Sequence, residues 1–129
     1  MTAKNPLRVL IVDDNHDQAD SLAVLLQLRG YESKVAYCAK TARDLAAAFQ
    51  PDALIVDLNM PQINGYDLVG QLRGQLTQAT FIAATGMVGE AYRQKALEAG
   101  FAHYFVKPIN VAKLRETLEG IKAAQDSPA

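Results

Sequence analysis

Cysteine is nearly absent: Cys38 is the single one in 129 residues. An internal disulfide is therefore excluded, and the chain suits a reducing cytoplasm. With no histidine near it in the sequence, Cys38 reads as a small core or loop residue. His16 and His103 read as surface or loop residues, and no His/Cys/Glu spacing suggests a zinc site. Long apolar runs are missing too. The longest are strand-sized, far short of the ~20 residues that cross a bilayer. Met1 to Pro6 is polar and reads as neither signal nor transit peptide. An excess of one charge is also lacking: the formal net charge is -1, so nothing global draws the protein to nucleic acid or to an anionic membrane. Repeats, low-complexity tracts and internal linkers are not found.

What is present fits one ordinary domain. Half of the residues are apolar and 21% are charged, the balance of a soluble globular chain with a core large enough to fold alone. The domain is expected over residues 7–123, between flexible ends at 1–6 and 124–129.

Within it, apolar strand runs alternate with helical patterns. The strands are expected at Leu7 to Val12, Glu32 to Tyr37, Asp52 to Asp57, Thr80 to Thr85 and Ala102 to Lys107. Ala19, Leu22, Leu25 and Leu26 give a helix from about Asp17 to Arg29, stopped by Gly30. Ala42, Leu45, Ala46 and Phe49 give a second helix behind Thr41, ended by Pro51. A loop from Pro61 to Gly65 precedes a third helix, Tyr66 to Leu76, with Leu68, Leu72 and Leu76 inward. Gly86 to Gly89 is a flexible loop before a fourth helix that Gly100 terminates. The charges of that fourth helix, Glu90, Arg93 and Lys95, read as a solvated face. Asn110 caps a fifth helix striped by Val111, Leu114, Leu118 and Ile121.

Strict alternation predicts an α/β fold: a five-stranded parallel sheet with helices on both faces. Strands one, three and four are apolar almost throughout, as central strands should be. Glu32, Ser33 and Lys34 put strand two at an edge. The predicted order is the flavodoxin-like 2-1-3-4-5, with a ligand crevice outside the carboxyl ends of the strands, at the switch point between strands one and three.

The unusual polar residues fall at that rim. In "RVLIVDDNHDQ" (Arg8 to Gln18), strand one runs straight into Asp13 and Asp14. Two adjacent carboxylates there either cap the next helix or flank something positive. Asp57 ends strand three, Thr85 strand four and Lys107 strand five, and none of these is needed to build a sheet. Their register favours the second reading. Three carboxylates close together stay ionised only beside a cation, and an open, oxygen-only site suits a hard ion such as Mg²⁺. Lys107 and Thr85 suit the oxygens of a transferring phosphoryl group. Asp57, central between the acidic pair and the Thr/Lys pair, is the best nucleophile, forming an acyl phosphate.

Four motifs, "LIVDDN", "DLNMPQINGYDL" (Asp57 to Leu68), "AATG" (Ala83 to Gly86) and "ALEAGFAHYFVKPI" (Ala96 to Ile109), occur in order at strand ends. In them the chain resembles the receiver domain of bacterial two-component response regulators, of the single-domain, chemotaxis-regulator-like kind, over roughly Leu7 to Lys122. The resemblance implies that Asp57 accepts phosphate from a phosphohistidine of a partner histidine kinase or phosphotransfer protein. It implies Mg²⁺ bound directly by Asp14, mostly through water by Asp13, and by Asp57 and the backbone carbonyl of Asn59. Thr85 would hydrogen-bond the phosphoryl group and Lys107 would pair with it. Pro108 would follow Lys107 through a cis peptide bond. Tyr104 would be the aromatic switch, turning when Thr85 and the Gly86 to Gly89 loop move. The surface of helix four, strand five and helix five would then change shape for a downstream protein, with neither nucleic acid nor membrane involved directly. Asn59 and Met87 sit where receivers tune phosphoryl lifetime, and an amide at 59 favours a short-lived signal.

The expected role is thus a cytoplasmic signalling switch that promotes only its own phosphorylation and dephosphorylation. No output domain fits in 129 residues, which is compatible with a stand-alone receiver or with one cut from a hybrid sensor kinase or multidomain regulator. The rival from another class is a haloacid-dehalogenase-like Mg²⁺ phosphatase, which requires an acid/base Asp two residues after the nucleophile, where this chain has Asn59. A flavodoxin-type FMN binder is disfavoured because an acidic loop after strand one repels phosphate. A pseudo-receiver used only for docking is disfavoured by the full set of site residues.

Overall fold

In the computed structural model, which describes residues 6–61 and 64–126, strand and helix alternate five times. The elements are β1 (Arg8–Val12), α1 (His16–Leu28), β2 (Glu32–Ala36), α2 (Ala39–Phe49), β3 (Ala53–Asp57), α3 (Gly65–Arg73), β4 (Thr80–Thr85), α4 (Glu90–Ala99), β5 (His103–Val106) and α5 (Val111–Asp126). All pairings are parallel and the order is β2-β1-β3-β4-β5, as the sequence predicts. Expectations for residues 1–5 and 127–129, and for Gln62 and Ile63 in the third loop, lie outside the described residues.

Alternation along each strand sorts the apolar residues onto two faces. Leu10, Val12, Leu54, Val56, Phe81 and Ala83 pack with Ala42 and Ala46 of α2, Leu68 and Leu72 of α3, and Ala96 of α4. Val9, Ile11, Ala53, Ile55, Ile82 and Ala84 pack with Ala19, Ala23 and Leu26 of α1 and with Leu114 and Leu118 of α5. Strands covered on both faces are continuous apolar runs for this reason. Edge strand β2 accommodates its one buried polar residue locally: Ser33 Oγ donates to the Ala23 carbonyl at 2.9 Å. The result is a rigid slab whose strand ends share one rim.

Several helix ends fall elsewhere than the sequence predicts. α2 begins at Ala39, with exposed Cys38 as N-cap, and Thr41 sits inside its first turn. α3 starts at Gly65 and ends at Arg73, yet Leu76 stays in the core because its N–H still bonds the Leu72 carbonyl at 2.8 Å. A Cβ at Gly65 would lie 2.6 Å from Leu58 Cδ2, so the Leu58 side chain would have to shift where the helix meets the end of β3. α5 runs through Asp126, so Ala124 and Gln125 are helical where a loose tail was expected. No breaker intervenes before Pro128, and Gln125 Nε2 donates to Asp52 Oδ1 at 3.1 Å. His103 lies in edge strand β5, within the expected fifth strand, and is half-buried where a surface or loop position was expected.

Candidate functional site

Register alone assembles the rim. Val12 pairs with Val56, so Asp13 and Asp57 follow side by side at the ends of β1 and β3. Thr85 pairs with Val106 at the ends of β4 and β5, and Lys107 is the next residue. The Lys107–Pro108 peptide is cis. Lys107 Nζ donates to Asp57 Oδ2 at 3.0 Å and to Asp13 Oδ2 at 3.2 Å. Carboxylate oxygens of Asp13, Asp14 and Asp57 lie within 4.8 Å of one another, a group that could hold a metal ion. Asp13 and Asp57 are buried and Asp14 is exposed. Four of the sequence-predicted site residues therefore meet in one cluster.

Helix capping does not explain the acidic pair. The N-cap of α1 is Asn15, whose Oδ1 accepts the Gln18 N–H at 3.0 Å. Asp13 instead uses Oδ1 to accept the Asn15 N–H at 2.9 Å and turns Oδ2 toward Lys107.

A model of the response regulator receiver domain family matches residues 9–119. The chain belongs to this family. Its receiver fold is a signalling switch of two-component systems. Response regulator MprA of Mycobacterium tuberculosis (strain ATCC 25618 / H37Rv) is 32% identical over 108 residues, 84% of this chain and 47% of that protein. Response regulator MprA of Mycobacterium avium (strain 104) is 30% identical over 125 residues, 94% of this chain and 55% of that protein. The chain thus spans about half the length of the curated relatives it matches. Among solved structures, the Vibrio cholerae chemotaxis protein CheY4 superposes with a TM-score of 0.83 at 28% identity, covering 90% of this chain and 98% of that one. A CheY-like receiver domain from Methylobacillus flagellatus gives 0.78 at 30% identity, over 90% and 98%. Among the described residues no helix is long and apolar enough to cross a membrane.

Electrostatics of the receiver's rim agree in sign. Burial pushes the Asp13 carboxyl up, and the neighbouring Asp57 adds to this, while the Asn15 N–H and Lys107 hold it back. Burial pulls the Lys107 ammonium down, but Asp57 and Asp13 together outweigh it and leave it above its ordinary value. With all three carboxylates ionised, one lysine leaves the cluster with two uncompensated negative charges. All the donors are oxygens, so the set fits a hard divalent cation.

Thr85 is buried at this rim, and its Oγ1 accepts the Met87 N–H at 3.1 Å. Asn59 donates its backbone N–H to Asp57 Oδ1 at 2.8 Å, while its side-chain Oδ1 accepts the Gly86 N–H at 2.6 Å. Tyr104 lies outside the acidic cluster. Half-buried on β5, it donates its hydroxyl to the Met87 carbonyl. The loop between β4 and α4 is therefore tied to Asn59, Thr85 and Tyr104.

Sequence reading missed one participant. Gln18 Oε1 accepts a third hydrogen bond from Lys107 Nζ at 3.1 Å. The available signal was its place four residues after Asp14 on a helix, since side chains there lean back toward the N-terminus. Lys95, read as part of a solvated face, lies over the Tyr66 ring with Nζ 4.7 Å from its centroid. Glu90 and Arg93 do form an exposed pair, 3.1 Å apart.

Proposed function

We propose that this receiver takes a phosphoryl group onto Asp57 from a phosphohistidine of a histidine kinase or phosphotransfer protein. Mg²⁺ would be held by Asp13, Asp14, Asp57 and the backbone carbonyl of Asn59. The observation that carries this reading is the cluster itself: three carboxylates within 4.8 Å of one another beside an ammonium that bonds two of them. The ion, when bound, supplies positive charge to phosphoryl oxygens and offsets repulsion between the dianionic donor and the acidic rim.

The chain's own residues do the rest. A carboxylate oxygen of Asp57 forms the new P–O bond as the P–N bond to the donor imidazole breaks, and the nitrogen keeps the electron pair. Lys107, already at Asp57, pairs with the incoming oxygens. Thr85 has a hydroxyl hydrogen to donate, because its oxygen serves the Met87 N–H as acceptor. Turning toward phosphate, Thr85 releases Met87, whose carbonyl holds the Tyr104 hydroxyl. Asn59 ties the same loop through Gly86, and its amide NH₂ is positioned to orient an attacking water, which supports a short-lived phosphoryl group. Phosphorylation thus shifts a population between two loop arrangements.

The readout is assigned to the face of α4, β5 and α5, where a 690 Å³ cavity is lined by Arg93, Tyr104, Val106 and Lys113 among others. A downstream protein is its expected partner, in the cytoplasm, with no direct role for nucleic acid or membrane. The same chemistry serves a stand-alone switch or the receiver unit of a longer chain, and the length of the natural gene product distinguishes them. The phosphatase alternative is unsupported, since the Asn59 amide has no titratable proton for general acid/base work. The test is incubation with Mg²⁺ and acetyl phosphate, read as mass gain on the intact protein. Wild type is expected to gain one phosphoryl group and Asp57→Asn none; modification of the variant would refute the assignment.

A further inference from the structure

Lys107 has three N–H donors and three protein acceptors: Asp57 Oδ2 at 3.0 Å, Asp13 Oδ2 at 3.2 Å and Gln18 Oε1 at 3.1 Å. The three acceptors differ in kind. Both carboxylates belong to the group that could hold a metal ion, so their charge and direction change when a cation or phosphoryl group arrives. Gln18 is neutral, lies outside that group, and sits in the first turn of α1, where its N–H is fixed by the Asn15 cap at 3.0 Å. It is the one partner of the ammonium that chemistry at Asp57 leaves unaltered.

We propose that Gln18 is a positioning residue for phosphoryl transfer, holding the Lys107 ammonium over Asp57 while its two carboxylate partners are redirected. The inference rests on the reading of Asp57 as phosphoacceptor. Lys107 reaches the site from the end of edge strand β5 on a flexible four-carbon stem, and a third, neutral acceptor fixes the end of that stem at no cost in added charge. A glutamate at 18 would bring another negative charge to a cluster that already has too many. A methionine would fill the same space and let the ammonium wander. Gln18 also lines a 300 Å³ cavity with Leu22, Leu25, Pro108 and Ile109, so its aliphatic part has apolar neighbours that an isosteric apolar replacement preserves.

In the assay, an Asp57 carboxylate oxygen bonds phosphorus as the bond to the acetate oxygen breaks, and acetate leaves with the electron pair. Gln18→Met should slow this step roughly five- to tenfold, the scale of the net contribution of one solvent-accessible hydrogen bond. Three readouts separate positioning from general structure. Mg²⁺ affinity, taken from the metal-dependent rise in melting temperature, should be unchanged, because Gln18 is not a ligand. The melting temperature without metal should stay near that of wild type. In a Lys107→Met background, Gln18→Met should have no further effect on rate. Wild-type phosphorylation rates in Gln18→Met, a parallel loss of Mg²⁺ affinity, or an undiminished effect without Lys107 would each overturn the proposal. An Asp57→Asn control keeps the two readings apart: modification of that control refutes the phosphoacceptor and this inference with it, whereas an inert control with an indifferent Gln18 refutes only the positioning role.

Discussion

Replacing Asp13 by asparagine should stabilise the metal-free protein. The change removes one of three carboxylates whose oxygens lie within 4.8 Å, and it also removes the charge facing Lys107 at 3.2 Å. Take an effective dielectric of about 40, between the values for a protein surface and bulk water. Repulsion from Asp14 and from Asp57 is then at least ~1.7 kcal/mol each, and the lost attraction to Lys107 is ~2.6 kcal/mol. The balance favours the amide by about 1 kcal/mol, before counting relief from burying a charge. The amide oxygen can keep the Asn15 N–H bond, which spans 2.9 Å in the wild type. For a domain of this size the melting temperature should rise by about 3–6 °C.

The assay is thermal unfolding by circular dichroism in EDTA and in excess Mg²⁺. At a metal concentration 100 times its Kd, wild type gains about 2.7 kcal/mol. The variant, short of one of the proposed ligands, should gain less, so the order of stability should reverse when metal is added. Acid gives a second check. The native Asp13 carboxyl lies above its unfolded value because burial disfavours its charge. The stability linked to its proton is therefore fully present below the unfolded value and lost as pH rises through the native one. Wild type and variant should accordingly converge as pH falls. A metal-free variant that melts several degrees below wild type would refute the reasoning, because Lys107 would then more than compensate the acids.

Two further outcomes test other parts of the scaffold. The Tyr31 hydroxyl donates to Glu119, and burial, reinforced by that carboxylate, pushes the phenol up to about 12. Tyr31→Phe should cost about 1 kcal/mol in urea unfolding at neutral pH. In wild type, the linked stability should be present below pH ~10 and lost as pH rises from there through the native value; a phenol that titrates with the exposed tyrosines would contradict the contact. Asn59→Ala removes the acceptor for the Gly86 N–H but leaves the backbone bond from residue 59 to Asp57. Hydrogen exchange at Gly86, followed by NMR, should quicken about tenfold; unchanged exchange would mean that the amide does not restrain the loop.

Strand order and rim chemistry were legible because both depend on residue type at strand ends. Val12, Asp57 and Thr85 each close an apolar run, and parallel pairing brings such ends together. Helix ends were less legible. Thr41 looks like a cap but lies in the first turn of α2, behind a cysteine that makes no side-chain cap bond. Leu76 keeps the helical period of α3 through a turn after the helix has ended. The partial burial of His103 was less legible, because an edge strand covered only in part lacks the continuous apolar run that marks β1 and β3. Contacts between loops, such as Asn59 with Gly86, leave no periodic trace. Gln18 was within reach, since helical geometry carries its side chain back toward the acids, but a neutral amide draws no notice beside five charged or hydroxyl groups.

The tethers on the β4–α4 loop bound what a signal at Asp57 must supply. Gly86 N–H to Asn59, Met87 N–H to Thr85 and the Tyr104 hydroxyl to the Met87 carbonyl are three neutral hydrogen bonds. At about 0.5–1.5 kcal/mol net each, they favour the tethered loop by roughly 1.5–4.5 kcal/mol. Reversing a 1:99 population to 99:1 requires about 5.5 kcal/mol of differential interaction. One neutral hydrogen bond cannot supply that. Two charge-assisted bonds from Thr85 and Lys107 to a phosphoryl group, at about 1.5–3 kcal/mol each, approach it at the top of their range. The acidic rim opposes this: on the proposed reading a phosphoryl group adds negative charge beside Asp13 and Asp14, so a bound cation must offset the repulsion for Thr85 to be drawn off Met87. Release of the loop then depends on the cation as well as on phosphate, and Tyr104 is its outlet toward the α4–β5–α5 face.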